Sequence, residues 1–134
     1  MVADANVLLS AVIGKAALRV ITELGVEVHV ARFNADEVER YLPSMAEKYD
    51  LPAELTALAW HLLPLHVHFV SEYCRQLARA RRDPTSRDLD DAHLLALARA
   101  LALPLWTNDR DLGGHGVECI PTAKLLRKYH LRQG

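Results

Sequence analysis

No stretch of this 134-residue chain stays apolar for the roughly 20 residues that crossing a bilayer requires, because charges, prolines or histidines interrupt each one. No basic flank precedes the first apolar segment, and Asp4 stands where a signal peptide would carry positive charge. The expectation is a cytoplasmic protein with no membrane partner. Cysteine is scarce: Cys74 and Cys119 are far apart and form no CxxC pair, which excludes a disulfide framework and suits a reducing compartment. Charge of one sign is lacking too. A formal net charge of −1 neither supports nor excludes a nucleic-acid partner. There is no internal repeat, low-complexity tract or linker, so residues 1–134 read as a single domain. Neither GxGxxG nor GxxxxGK[ST] follows the first apolar segment, which argues against a nucleotide-binding α/β domain.

What is present is enough apolar sequence for one substantial core. Residues 1–5 read as a buried strand ending at Asp4. Residues 8–13 and 15–24 read as helix, closed by Gly25. Residues 26–30 alternate like a strand. Val38, Tyr41, Leu42 and Met45 fall at helical spacing within residues 34–48. Pro52 opens a helix running to Leu63. Its apolar residues offer a dimer surface, although burial in the core is the simpler account. Residues 65–70 read as extended, 72–82 as helix, and Asp83-Pro84 as a polar turn. An Ala/Leu-rich helix spans 91–103 and stops at Pro104. Short strands at 105–107 and 117–120 flank a Gly113-Gly114 turn, and a last helix carries Leu125 and Leu126. This alternation predicts an α/β three-layer sandwich with a mainly parallel central sheet of about five strands.

Four acids stand out against that framework. Asp4 lies at the end of a central strand, where an ionised carboxylate is costly unless paired, hydrogen-bonded or bound to a cation; its ordinary alternative is a cap for the helix that follows. Asp109 comes just after the strand 105–107, and Asp111 is an outer neighbour. In a parallel sheet these two strand ends share the carboxyl edge, where ligands bind. Glu37 sits at the margin of an apolar helix face and is favoured over Glu39 as the inward group, with Asp36 pointing away. Asn34 and Glu37 also have the spacing of a capping box, which explains Glu37 by local chemistry. Asp88, Asp90 and Asp91 precede the long helix, three acids where one cap suffices, and Asp91 is best placed to face the sheet edge. Carboxylates brought into one cleft repel each other unless a divalent cation sits among them, and oxygen-only ligands suit Mg²⁺ or Mn²⁺.

The residues resemble a known family. Asp4-Ala-Asn-Val-Leu is similar to the Asp-x-Asn-x-Leu start of PIN domains, of the VapC-like and PilT N-terminus-like kind. Glu37-Val-Glu-Arg-Tyr-Leu resembles the family's Glu-Leu-x-x-x-Leu helix. Asp88-Leu-Asp-Asp-Ala-His-Leu-Leu resembles its Asp-x-x-Asp segment, and Thr107-Asn-Asp-Arg-Asp-Leu its Thr-x-Asp-x-x-Leu block. The resemblance implies a Rossmann-like PIN fold and Mg²⁺- or Mn²⁺-dependent endoribonuclease cleavage of RNA. Asp4, Glu37, Asp91 and Asp109 take the places of the catalytic acids; Asp4, Asp91 and Asp109 are the metal-binding members. Asn6, Asp88, Thr107 and Asp111 would support them. It further implies the toxin of a toxin–antitoxin module, with an antitoxin partner and a homodimer. The contrasting reading is a PIN-like nucleic-acid-binding or partner-dependent module with little activity of its own.

Other chemistry fits less well. His66 and His68 fall on one side of a strand with His61 on the preceding helix, but no nearby Cys or acid in the sequence completes a tetrahedral zinc set. A phosphoaspartyl mechanism needs a Lys after a strand, and Lys124 lies in or near the last helix. Two basic stretches, Arg75, Arg79, Arg81, Arg82 and Arg87, then Lys124, Arg127, Lys128 and Arg132, read either as phosphate-holding patches or as solvated helix faces.

Overall fold

The computed structural model describes residues 1–82 and 89–133, with the backbone alone for Asp90 and residues 129–133. Five parallel strands form one sheet: β1 (Val2–Ala3), β2 (Val28–Ala31), β3 (Leu65–His68), β4 (Leu105–Trp106) and β5 (Cys119–Ile120), in the order β3-β2-β1-β4-β5. Seven helices connect or follow them among the described residues: α1 (Ala5–Val12), α2 (Ala16–Glu23), α3 (Arg32–Lys48), α4 (Ala53–Leu62), α5 (Cys74–Arg81), α6 (Leu89–Leu101) and α7 (Thr122–Gln133). The polar turn expected at Asp83-Pro84 lies outside the described residues.

Strand alternation divides the core in two. Ala3, Val28, Val30, Trp106 and Ile120 face a layer built from α1, α2, α3, α4 and α7, while Val2, Ala31 and Leu105 face α5 and α6. The sheet is therefore covered on both faces, as parallel sheets require. β1 lies at its centre, and its register pairs Val2 with His29 on one side and Ala3 with Trp106 on the other. The carboxyl ends of β1 and β4 are consequently neighbours, and Asp4 and Thr107 leave the sheet side by side.

Two expectations need correction. α3 starts at Arg32, with Ala31 at its cap and no side-chain cap bond, so Asn34 lies inside the helix and the Asn34–Glu37 capping box does not form. Arg32 stabilises this earlier start by bonding Asp36 and Glu39 farther along the same helix. The second correction concerns α4, whose buried residues are Thr56 and Trp60. Leu55, Leu58 and Leu62, one helical stripe, face outward instead of filling the core, Leu62 being 72% exposed.

Candidate active site

Asp4 closes β1 and caps α1. Its Oδ1 accepts the backbone N–H of Val7 at 2.8 Å, and its Oδ2 accepts a short hydrogen bond from the Thr107 hydroxyl. The cap reading of Asp4 is thus correct for one oxygen and leaves the other to the sheet edge. Thr107 continues the connection: its Oγ1 accepts the Asp109 N–H at 3.0 Å. Asp109 in turn accepts the Asp111 N–H at 2.9 Å, capping a single 3-10 turn, Arg110–Leu112. One threonine hydroxyl therefore binds the end of β1 to the loop after β4. Asn108 fastens that loop from behind, its Oδ1 accepting the Thr122 N–H at the start of α7 at 2.9 Å.

The electrostatics of Asp4 follow from this placement. It is only 9% exposed. Burial pushes its carboxyl above the ordinary range; the Thr107 and Val7 hydrogen bonds oppose the shift, and the charge of Asp109 adds to it. Neither Asp4 nor Asp109 is ion-paired with a Lys or Arg among the described residues. A buried carboxylate beside a second carboxylate, with no protein cation, is a local excess of negative charge.

The remaining expected site residues lie on three helices and a segment outside the described residues. Glu37 and Asn6 line a groove of about 540 Å³ between α1 and α3. Glu39 turns elsewhere, its carboxylate bonding Arg32 at 2.9 Å and Trp60 Nε1 at 3.1 Å. Asp91 is half-buried near the start of α6, and Asp88 lies outside the described residues. Among the described residues, no three His, Cys, Asp or Glu side chains are grouped so as to hold a metal ion by themselves. The oxygen-only Asp4–Asp109 pair suits a hard cation, because Mg²⁺ commonly takes one or two carboxylates and fills its other positions with water and substrate phosphate.

Three rings behind the site escaped the sequence reading. His93, two residues after Asp91, stacks on Phe33 of α3 with centroids 3.9 Å apart and planes 3° apart. The Tyr73 hydroxyl lies 2.7 Å from His93 Nδ1, and burial, helped by Glu72, pushes that phenol up to about 12, so it keeps its proton. The stack locks α6, which carries Asp91, against α3, which carries Glu37. A lone imidazole in an otherwise Ala/Leu-rich run was the available signal.

The histidine cluster also differs from expectation. His66 and His68 do share a face, but they meet His29 of β2 rather than His61: His29 Nδ1 and His68 Nε2 are 2.8 Å apart. Acids do stand beside these rings, contrary to the expectation of none nearby: Glu27, distant in sequence, is 3.2 Å from His66, and Glu72, only four residues past His68, is 3.0 Å from it.

A family model described as PIN domain matches residues 2–131. Among solved structures, the chain is similar to one in a toxin-antitoxin complex from Klebsiella pneumoniae, with a TM-score of 0.66 at 19% identity, covering 90% of this chain and 96% of that one. At that identity the likeness shows the fold. A search of curated proteins gives no match.

Proposed function

The chain belongs to the PIN-domain family, and on that premise we propose that it is a Mg²⁺- or Mn²⁺-dependent endoribonuclease acting at the Asp4–Asp109 edge of the sheet. The observation that carries this reading is the buried Asp4 carboxylate beside the exposed Asp109, neither ion-paired with a Lys or Arg among the described residues. Asp4 and Asp109 would hold the cation; Asp91 and Glu37 are the further acids that the family's pattern assigns to the site. When bound there, a divalent ion supplies positive charge for an in-line phosphoryl displacement and lowers the pKa of water. Thr107 orients Asp4 and fixes the Asp109 backbone; Asn6 lines the groove beside Glu37, Asp111 is an outer acid, and Asp88, outside the described residues, is a supporting acid by the family's pattern.

The same reading extends to a partner protein. The exposed Leu55, Leu58 and Leu62 stripe on α4 supports docking of an antitoxin or a second copy of the chain, and the toxin–antitoxin setting of the structural neighbour agrees with it. A cytoplasmic location accords with this role, and no single helix among the described residues is long and apolar enough to cross a membrane.

Cleavage of a single-stranded RNA with added Mn²⁺ tests the proposal. Chelator should abolish it, and Asp4→Asn and Asp109→Asn should each reduce the rate by about a hundredfold or more, as expected when transition-state charge stabilisation is removed. Undiminished cleavage in both variants would refute the site assignment. Absence of both Mn²⁺ binding and cleavage in the pure protein would favour a binding module that works through its partner.

A further inference from the structure

The groove bordered by Asn6 and Glu37 extends away from the acid pair, and its far end has a different chemistry. Glu37, Tyr41, Ser44 and Lys48 follow one another along a single face of α3. Eleven residues at the helical rise put Lys48 about 16 Å along the axis from Glu37. Tyr41 is 53% exposed and Tyr49 43%, so two aromatic rings face solvent instead of the core. Lys15, from the link between α1 and α2, and Lys48 both approach Tyr49, with Nζ 5.2 and 5.6 Å from the ring centroid. Neither lysine is ion-paired with a carboxylate among the described residues. Tyr49 therefore gathers two ammonium groups that repel each other, a favourable setting for an anion. Tyr41, between those cations and the acids, keeps an open ring.

Resting on the ribonuclease reading of the acid pair, we propose that this groove is the binding track for single-stranded RNA on one side of the scissile bond. Tyr41 stacks an unpaired base, and Lys15 and Lys48, held by Tyr49, take the phosphates beyond it. The requirement for a single strand comes from Tyr41: a ring on a groove wall reaches the face of a base only when that base has left its own stack. The cations at the far end offset the repulsion that a polyanion meets at Glu37 and the acid pair.

Fluorescence anisotropy with a short labelled single-stranded RNA of mixed sequence, in chelator so that nothing is cut, tests the track. Tyr41→Ala should weaken binding by about tenfold and Tyr41→Phe should restore it, since stacking needs the ring and not the hydroxyl. The Lys15→Gln/Lys48→Gln double variant should bind more weakly, with a salt dependence shallower by about 1.4 logarithmic units per decade, roughly 0.7 for each lost phosphate contact. Duplex RNA of the same sequence and an acidic peptide should both compete poorly. Wild-type affinity and salt slope in the variants, no binding by the wild type, or equal competition by duplex or peptide would each overturn the track. The two proposals fail separately. Cleavage that persists unchanged in the Tyr41 and lysine variants, with unchanged binding, removes the track and leaves the acid site. Groove-dependent binding without metal-dependent cleavage supports the track and removes the nuclease reading.

Discussion

At the residue scale, Asp4 carries opposing demands. Its carboxylate caps α1 and receives Thr107, yet it sits in a desolvated position beside Asp109. Asp4→Asn keeps an oxygen for the Val7 N–H and removes a poorly solvated charge. At neutral pH this variant should melt no lower than the wild type by calorimetry while losing cleavage; a sharp fall in melting temperature would mean that the carboxylate is structural. Thr107→Val is expected to behave oppositely. Deleting the hydroxyl leaves Asp4 short of a donor and the Asp109 N–H short of an acceptor, at a cost of about 1–3 kcal/mol read by urea denaturation. Mn²⁺ affinity should fall with it by roughly 10- to 100-fold, as for other groups that orient metal ligands, and Thr107→Ser should restore both.

At the element scale, periodicity and breakers made most of the fold legible. Gly25 marks the end of α2 with a φ of +63°, Pro52 precedes α4, and the Ala/Leu run forms α6. Both strand ends were readable because a short apolar run gives way to polar residues, Asp4 directly after β1 and Thr107-Asn108-Asp109 after β4. Contacts between distant segments were not readable. The capping box at Asn34 and Glu37 satisfied a local spacing rule, but α3 starts earlier, at Arg32 after β2, where Arg32 bonds Asp36 and Glu39. Glu37 is thereby released from its cap role and faces the groove. The Phe33–His93–Tyr73 stack draws on three segments, and no local pattern announces it. Asn108 is another such tie: it serves as a cap for α7 from a loop 14 residues earlier. Asn108→Ala should destabilise the protein by about 1 kcal/mol, as loss of a helix cap does, measurable as a lower denaturation midpoint. Mn²⁺ affinity should remain unchanged, since Thr107 still holds Asp109.

At the scale of the whole molecule, parallel topology brings residues 103 positions apart into one hydrogen bond at the sheet's carboxyl edge. The same topology brings His29 of β2 together with His66 and His68 of β3. His29 is held below the ordinary imidazole value of 6.5, first by burial, then by the Met1 ammonium, His66 and His68, against the pull of Glu27. An unfolded chain protonates this imidazole as pH falls through 6.5, whereas the folded chain resists. The unfolded state then binds more protons, so stability is complete above that value and declines below it. A melting series from about pH 7.5 to 5.5 should show a falling temperature, and His29→Leu should flatten the slope. Equal slopes in the two proteins would remove His29 from this account.

The Asp4–Asp109 pair remains the centre of the functional reading, and direct Mn²⁺ binding tests it most closely. Titration of the pure protein followed by electron paramagnetic resonance should show Mn²⁺ uptake at neutral pH that weakens as the solution is acidified, because the ligands must be deprotonated. Asp4→Asn and Asp109→Asn should each weaken that uptake by about tenfold or more, the effect expected from losing a ligand in a site of one or two carboxylates. Uptake of equal strength in the wild type and both variants, with no dependence on pH, would contradict the account.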